Sequence, residues 1–259
     1  MSPIFYHLTI IISWNACFLN HCRSKGVLIM PKYIKVATFN IHHAKGLNGR
    51  LSLKRVAQTL QKLNAHIIGL QEVDNLIPRS YFQNQTKKLA QYLDTYYAFA
   101  PNLKFGCSGY GNAVLSKFPI IKSWHTLLPG KLEQRGLQYV LLSLPGTESL
   151  HFYNTHLGLS TEDRTVQIIS IIRHLPDKSK PVILTGDFNT ATISTELQPL
   201  AKTLCDTGGI DPPYTYPAGK PQHSIDSIYI SHHWRVINIT AVPTTASDHW
   251  PLVCTLKND

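Results

Sequence analysis

The chain is short of acid. Only 15 of its 259 residues are Asp or Glu, against 25 Lys and Arg, and the net charge is +10. That imbalance disfavours a cationic partner and favours an anionic one: nucleic acid, a phosphorylated metabolite or a membrane surface. A basic protein whose lysines merely solvate it is an equal alternative, because no Lys/Arg run exceeds two residues. Cysteine is also scarce. Cys17, Cys22, Cys107, Cys205 and Cys254 are odd in number and contain no C-x-x-C pair. This argues against a disulfide framework and against a cysteine zinc site, and fits reduced thiols in a cytoplasm.

Long hydrophobic runs are missing too. The segment from Ile4 to Leu19 is apolar, but His7, Ser13 and Asn15 interrupt it and it is short for a membrane span. As a signal peptide it lacks a basic n-region and a clean small-x-small cleavage site. We expect residues 1–29 to be an extension outside the native protein, with Met30 of "MPKYIKVATFN" as the start and one domain over 30–259. A signal role, which would make the protein secreted, stays open beside that reading. No stable membrane insertion is expected, and neither a repeat nor a linker is visible.

What the chain does have is enough apolar material, 43% of residues against 15% charged, for a sizeable core. "YIKVATFN" and "AHIIGLQEVD" read as strands. So do the two halves of "GYGNAVLSKFPIIKSWHTL", broken at "KFP", and "GLQYVLLSL" and "SLHFYNTHL", which flank the turn at Pro145 and Gly146. "PVILTGDFN" and three closing segments complete the set. Helices are expected at "LSLKRVAQTLQKL" with Ser52 as N-cap, at "QTKKLAQYL", from Ser160 to His174 with Asp163 at capping-box spacing, and weakly around Ile193 to Lys202. Strands arriving in pairs, rather than in strict alternation with helices, predict an α/β (α+β) four-layer sandwich: two mainly antiparallel sheets packed together and flanked by helices.

The strands share a habit. Apolar runs finish in residues able to bind a metal or a phosphate oxygen, Asn40, Glu72, His156, then Asp187 and Asn189; Asp226 stands inside "SIDSIYIS", and Asp248 and His249 just before the closing strand. Residues two apart in an extended segment point the same way, so Asp187 and Asn189 face one space while Phe188 turns into the core. Taken singly, each is more readily a turn former, and Asp187-Phe188-Asn189 reads first as an Asx turn. Four of the chain's few carboxylates nevertheless sit at these ends, and converging carboxylates repel unless a cation or proton joins them. A hard divalent ion is the natural resolution. The doublets His42–His43 and His232–His233 are set aside, because neighbours in a strand point oppositely.

"ATFNIHHAKG", "IIGLQEVD", "GYGNAVLSKFPI", "NTHLGLSTEDRTVQ", "VILTGDFNT", "IDSIYIS" and "SDHWPL", in this order, resemble the endonuclease/exonuclease/phosphatase superfamily from about Val36 onward. The resemblance implies a deoxyribonuclease I-like fold and a hydrolase of phosphoric esters, nuclease-like or acting on a lipid head group or small metabolite. A catalytically silent binding module ranks well below, since Glu72 and Asp187 are both present. The resemblance also implies a Mg²⁺ cofactor, replaceable by Mn²⁺, held by Glu72 with Asn40 and Asp248. Asp187 would activate water, Asn189 hold phosphate, His249 donate to a phosphoryl oxygen with Asp226 behind it, and His156 face phosphate or act as an acid. Asn112 and Arg135 match pocket-lining positions, although a salt bridge to Glu133 is as good a reading of Arg135. Arg79 is a weaker substrate-facing candidate. Ser224 and Ser227 stand where many relatives carry Arg and Tyr, which leaves the substrate's shape open. The expected partner is a phosphodiester, nucleic acid included, and the expected state a monomer.

Overall fold

Positions two apart along the strands change character in one direction, and that gradient organises the molecule. The computed structural model describes residues 32–146 and 148–258. The expected extension 1–29 lies outside them. Among the described residues the strands are β1 Ile34–Asn40, β2 Ile67–Asn75, β3 Tyr96–Phe105, β4 Ser108–Ser116, β5 Ile120–Leu127, β6 Gly136–Leu142, β7 Leu150–His156, β8 Val182–Asp187, β9 Cys205–Asp206, β10 Asp226–Ile230, β11 Trp234–Ala241 and β12 Leu252–Asn258. Helices α1 Leu53–Leu63, α2 Gln85–Leu93, α3 Thr161–His174 and the short α4 Gln198–Ala201 flank them.

The strands form two six-stranded sheets, ordered β11-β12-β1-β2-β4-β3 and β5-β6-β7-β8-β10-β9. The β1–β2 and β7–β8 ladders are parallel and the others antiparallel. Three cores result, as a four-layer sandwich requires. Leu60, Leu89 and Phe39 pack α1 and α2 on one sheet. Ile168, Leu200 and Phe188 pack α3 and α4 on the other. Val36, Val114, Phe152 and Ile183 fill the space between the sheets.

That middle layer is apolar at one end only. Along β1 the series is Ile34, Val36, Thr38, Asn40; along β7, Leu150, Phe152, Asn154, His156; along β8, Ile183, Thr185, Asp187; all are buried. Halfway up, the sheets are joined by polar contacts instead of apolar ones. Gln71 Nε2 donates to Asn154 Oδ1 at 2.7 Å, and Asn154 Nδ2 donates to the carbonyls of Leu70 and Ala113 at 2.9 and 3.0 Å. Gly69 leaves room for this crossing, since a Cβ there would lie 2.2 Å from Thr185 Oγ1. This buried network, in which Gln71 Oε1 is left without a partner, fixes the register between layers and sets the floor of the rim above it.

Local chemistry accounts for most elements. Ser52 Oγ accepts from Arg55 N and Ser160 Oγ from Asp163 N, capping α1 and α3 as expected. The capping box does not close on Asp163, whose carboxylate instead accepts from the N–H groups of Lys131 and Leu132 and ties the β5–β6 loop to α3. β3 was not expected. Pro101 interrupts its pattern, yet the ladder is irregular there and β3 is an edge strand, where proline is tolerated. β4 and β5, adjacent in sequence, belong to different sheets; buried Phe118 anchors the chain in the middle core where it crosses.

Candidate active site

Asn40, at the end of β1, holds two carboxylates apart. Its Nδ2 donates to Glu72 Oε1 at 2.9 Å and to Asp187 Oδ2 at 3.0 Å, so one amide joins the two sheets at their rim. Glu72 owes its position to an irregularity in β2 against β4 between Leu70 and Val73, where it adopts φ 57°. A β-bulge of this kind frees a side chain from strict alternation. Asp187 is the hub. Besides Asn40, its Oδ2 lies 3.5 Å from His156 Nε2 and 3.7 Å from His249 Nε2.

Asp187 Oδ1 accepts from Asn189 N at 3.0 Å, which is an Asx turn. The turn-forming reading of "DFN" holds, and Asn189 lies beyond the end of β8, out of extended register with Asp187. Asn189 takes the left-handed conformation, φ 52°, that Asn tolerates, and its Nδ2 donates to Leu157 O at 2.9 Å. Phe188 points the other way, fully buried against Tyr229 under α3 and α4, a burial that contributes about 1.5–3 kcal/mol.

Asp248 and His249 arrive on the loop before β12. Ser247 Oγ donates to Asn40 O at 2.7 Å, and Ala218 N and Trp250 N donate to Asp248 O and Thr215 O, each at 2.7 Å, so the segment is held from both sides. His249 Nδ1 meets Asp226 Oδ2 at 2.8 Å, which leaves Nε2 facing Asp187. Arg135 is buried, with Nη1 at 2.7 Å from Glu133 Oε1 and 3.2 Å from His156 Nδ1. The salt-bridge reading of Arg135 holds, with a buried guanidinium and an exposed Glu133. Guanidinium only donates, so His156 Nδ1 accepts and the ring proton sits on Nε2, toward Asp187.

The two histidines differ in charge. Burial alone would depress His249, but the charges of Asp226 and Asp187 and the Asp226 hydrogen bond outweigh it and push it up to about 10. Burial likewise depresses His156; here Asp187 opposes, Arg135 and His249 reinforce, and the result is about 3. One is imidazolium and the other neutral at pH 7. Burial, and the nearby charges of Asp187 and Asp248, raise the Glu72 carboxyl above its usual range. Asp248 is held low: burial works against this, but the His42 hydrogen bond and the charges of His249 and His42 prevail.

The other candidates have these contacts. Asn112 is buried behind Arg135, donating from Nδ2 to Gly136 O at 3.1 Å, with Oδ1 unpartnered. Arg79 forks onto buried Asp74 at 2.9 and 2.8 Å and is a structural pair. The exclusion of His42 and His43 needs correction. They lie not in a strand but in a 3₁₀ turn, where His42, His43 and Ala44 all have positive φ, so strand alternation does not apply. His42 Nδ1 reaches Asp248 Oδ2 at 3.3 Å, and His42, His43 and Glu72 present donor atoms within 4.8 Å of one another. The signal was available: His42 follows Asn40 by two residues at a strand end. His232 and His233 lie after β10, at the far end of the sandwich.

The family model for the endonuclease/exonuclease/phosphatase family matches residues 37–249, most of the chain and every residue of this rim. The chain belongs to that family. "Uncharacterized protein YbhP" of Escherichia coli K12 is 28% identical over 244 residues, covering 84% of this chain and 94% of its own. Among solved structures, the endonuclease/exonuclease/phosphatase of Beutenbergia cavernae superposes with TM-score 0.72 at 23% identity, covering 88% of this chain and 72% of its own. The mannosyl-6-phosphatase of Bacteroides thetaiotaomicron does so with 0.73 at 20%, covering 86% and 99%. The human Nocturnin catalytic domain, carrying a sulfate anion, gives 0.71 at 22%, covering 89% and 97%. These likenesses establish the deoxyribonuclease I-like fold. The family's members are phosphoester hydrolases that generally use divalent metals, and the donor set here fits one. Burial and the charges of Asp187 and Asp248 raise Glu72, and a cation held at Glu72, where His42 and His43 also present donor atoms, would relieve that repulsion.

Proposed function

We propose that the protein is a divalent-metal-dependent phosphoesterase that cleaves phosphodiesters by in-line attack of water, with Mg²⁺ as its ion and Mn²⁺ as a substitute. The observation that carries this is the surroundings of Asp187: one carboxylate within 3.0–3.7 Å of an amide, a neutral imidazole and an imidazolium, beside Glu72. Glu72 and Asp248 would hold the ion, with Asn40 spacing the carboxylates; the ion supplies charge neutralisation at the phosphoryl and leaving oxygens.

The chain's own residues do the rest. Asp187 accepts a proton as water oxygen bonds to phosphorus. Charged His249, oriented by Asp226, donates from Nε2 to an oxygen that gains negative charge. His156 is neutral, so it faces phosphate as an Nε2–H donor rather than as an acid, with Arg135 behind it. Asn189 and its Asx turn fix the approach beside Asp187, and Asn112 holds the backbone of the residue next to Arg135.

The test is hydrolysis of an activated aryl phosphodiester, beside its phosphomonoester, by the full-length protein. Turnover should require Mg²⁺ or Mn²⁺, vanish with a chelator, and favour the diester. Added Mg²⁺ should raise Tm in the wild type but not in Glu72→Gln. Turnover that persists without divalent ions refutes the metal role, and a preference for the monoester would move the reading toward the chemistry named for the Bacteroides relative.

A further inference from the structure

Large apolar side chains are exposed very unevenly. Among the described residues the six most exposed are Ile210, Ile193, Tyr81, Leu159, Leu132 and Phe82, running from 103% down to 64%. All six stand in loops at the end of the sandwich that carries the site. The registers define that end: Asn40 pairs with Gln71, His156 with Asp187 and with Gly136, and Asp187 with Asp226. Phe105 and Tyr214, the next two, stand there as well.

The loops surround the rim and are braced together. Tyr81 and Phe82 follow β2, and the hairpin tip bearing Phe105 is joined to their loop by Ser108 Oγ donating to Leu76 O at 2.7 Å. Leu132 and Leu159 occupy the two loops that Asp163 links. Arg164 continues the brace, donating to Leu159 O at 2.7 Å and pairing with Glu196 Oε1 at 2.7 Å, just after the loop of Ile193. Ile210 and Tyr214 lie between β9 and β10. Single exposed apolar residues are ordinary, but a ring of them around one opening marks a contact surface.

Charge indicates what the ring touches. The loops at this end, that after β1 included, expose Lys45, Arg50, Lys104, Lys131 and Lys220, besides Arg79 in its pair with buried Asp74, against Glu133, Glu162 and Asp211. The partner is therefore both apolar and anionic. A single-stranded nucleic acid would call for aromatic faces on which bases stack, yet half of the eight side chains are aliphatic, among them the two most exposed. A protein seated on the ring would cover the opening. A lipid surface satisfies both requirements and brings phosphoesters with it.

We propose that the site end of this protein docks on an anionic lipid surface, and that its substrate is the phosphoester head group of an amphiphile held there. This rests on the phosphoesterase reading and narrows it. The reaction is unchanged: water gives its oxygen to phosphorus and a proton to the departing oxygen.

Full-length protein would be sedimented with vesicles of phosphatidylglycerol and phosphatidylcholine, and with phosphatidylcholine alone. The wild type is compared with the Ile193→Ser/Ile210→Ser double variant and with Leu159→Ser, beside turnover of a soluble aryl phosphodiester. Affinity for the anionic vesicles should exceed that for phosphatidylcholine at least tenfold. It should fall tenfold or more in the double variant and severalfold in Leu159→Ser, with soluble turnover within about twofold of wild type in both. No vesicle binding, binding indifferent to these substitutions, or variants that lose affinity for a single-stranded oligonucleotide instead would each overturn the docking. Soluble turnover without vesicle binding defeats this inference alone. Vesicle binding without any hydrolysis defeats the phosphoesterase reading and the substrate assignment together, leaving only the docking.

Discussion

His156 and His249 stand at nearly equal distances, 3.5 and 3.7 Å, from the same oxygen of Asp187, and both are buried. One is nevertheless pushed down to about 3 and the other up to about 10. The shared carboxylate does not explain the difference; what stands behind each ring does. Arg135 occupies the far nitrogen of His156 and Asp226 that of His249. A site of this kind obtains a neutral donor and a charged donor from one residue type by choosing the sign of the group on the outer side.

The strongest way to break the comparison is to remove its centre. Asp187→Ala should lower phosphodiester turnover by on the order of 10³-fold, and His249→Ala by a similar factor, with far-UV circular dichroism unchanged. Turnover near wild type in both would end the mechanism. Asp226→Asn keeps the hydrogen bond and removes the charge. His249 should then titrate by NMR far below about 10, and turnover should fall about 10²-fold.

Stability against pH separates the two rings with opposite signs. His249 is raised, so its contribution is complete below the ordinary value of 6.5 and is lost as pH rises toward about 10. His156 is lowered, so its contribution is complete above 6.5 and is lost as pH falls toward about 3. In Tm profiles, His249→Gln should flatten the alkaline limb and His156→Gln the acid limb; a single variant flattening both would show that the rings are not independent. Arg135→Gln sharpens the point further. His156 should titrate closer to its ordinary value and turnover should drop about tenfold, as loss of a charged hydrogen bond implies. Least affected is Arg79→Gln. Turnover should stay within about twofold, while stability falls by about 1–3 kcal/mol because buried Asp74 loses its partner.

Much of this was legible along the chain. Polar residues at or near strand ends marked Asn40, Glu72, His156, Asp187 and Asp226 before any packing was known, although β2 runs on past Glu72 to Asn75 and Asp226 opens β10 instead of closing it. Ser52 and Ser160 announced their helices through cap chemistry alone. The misses have local causes. His42 and His43 were read on strand periodicity that stops at Asn40. β3 was hidden by Pro101, whose missing N–H is harmless only at an edge. Asp163 kept capping-box spacing but spent its carboxylate on the β5–β6 loop, a partner about thirty residues away.

The sequence by itself determined the two-sheet class, the family, and most of the polar side chains that gather at the rim, because alternation and strand-end polarity are properties of neighbouring residues. Only the tertiary structure decided how that set divides. The charge on each histidine, the bridging amide of Asn40 between carboxylates of different sheets, and the ring of apolar side chains around the opening all arise between residues far apart in the chain. Electrostatics and burial depend on distance in space, and the layered packing of the two sheets is what sets those distances.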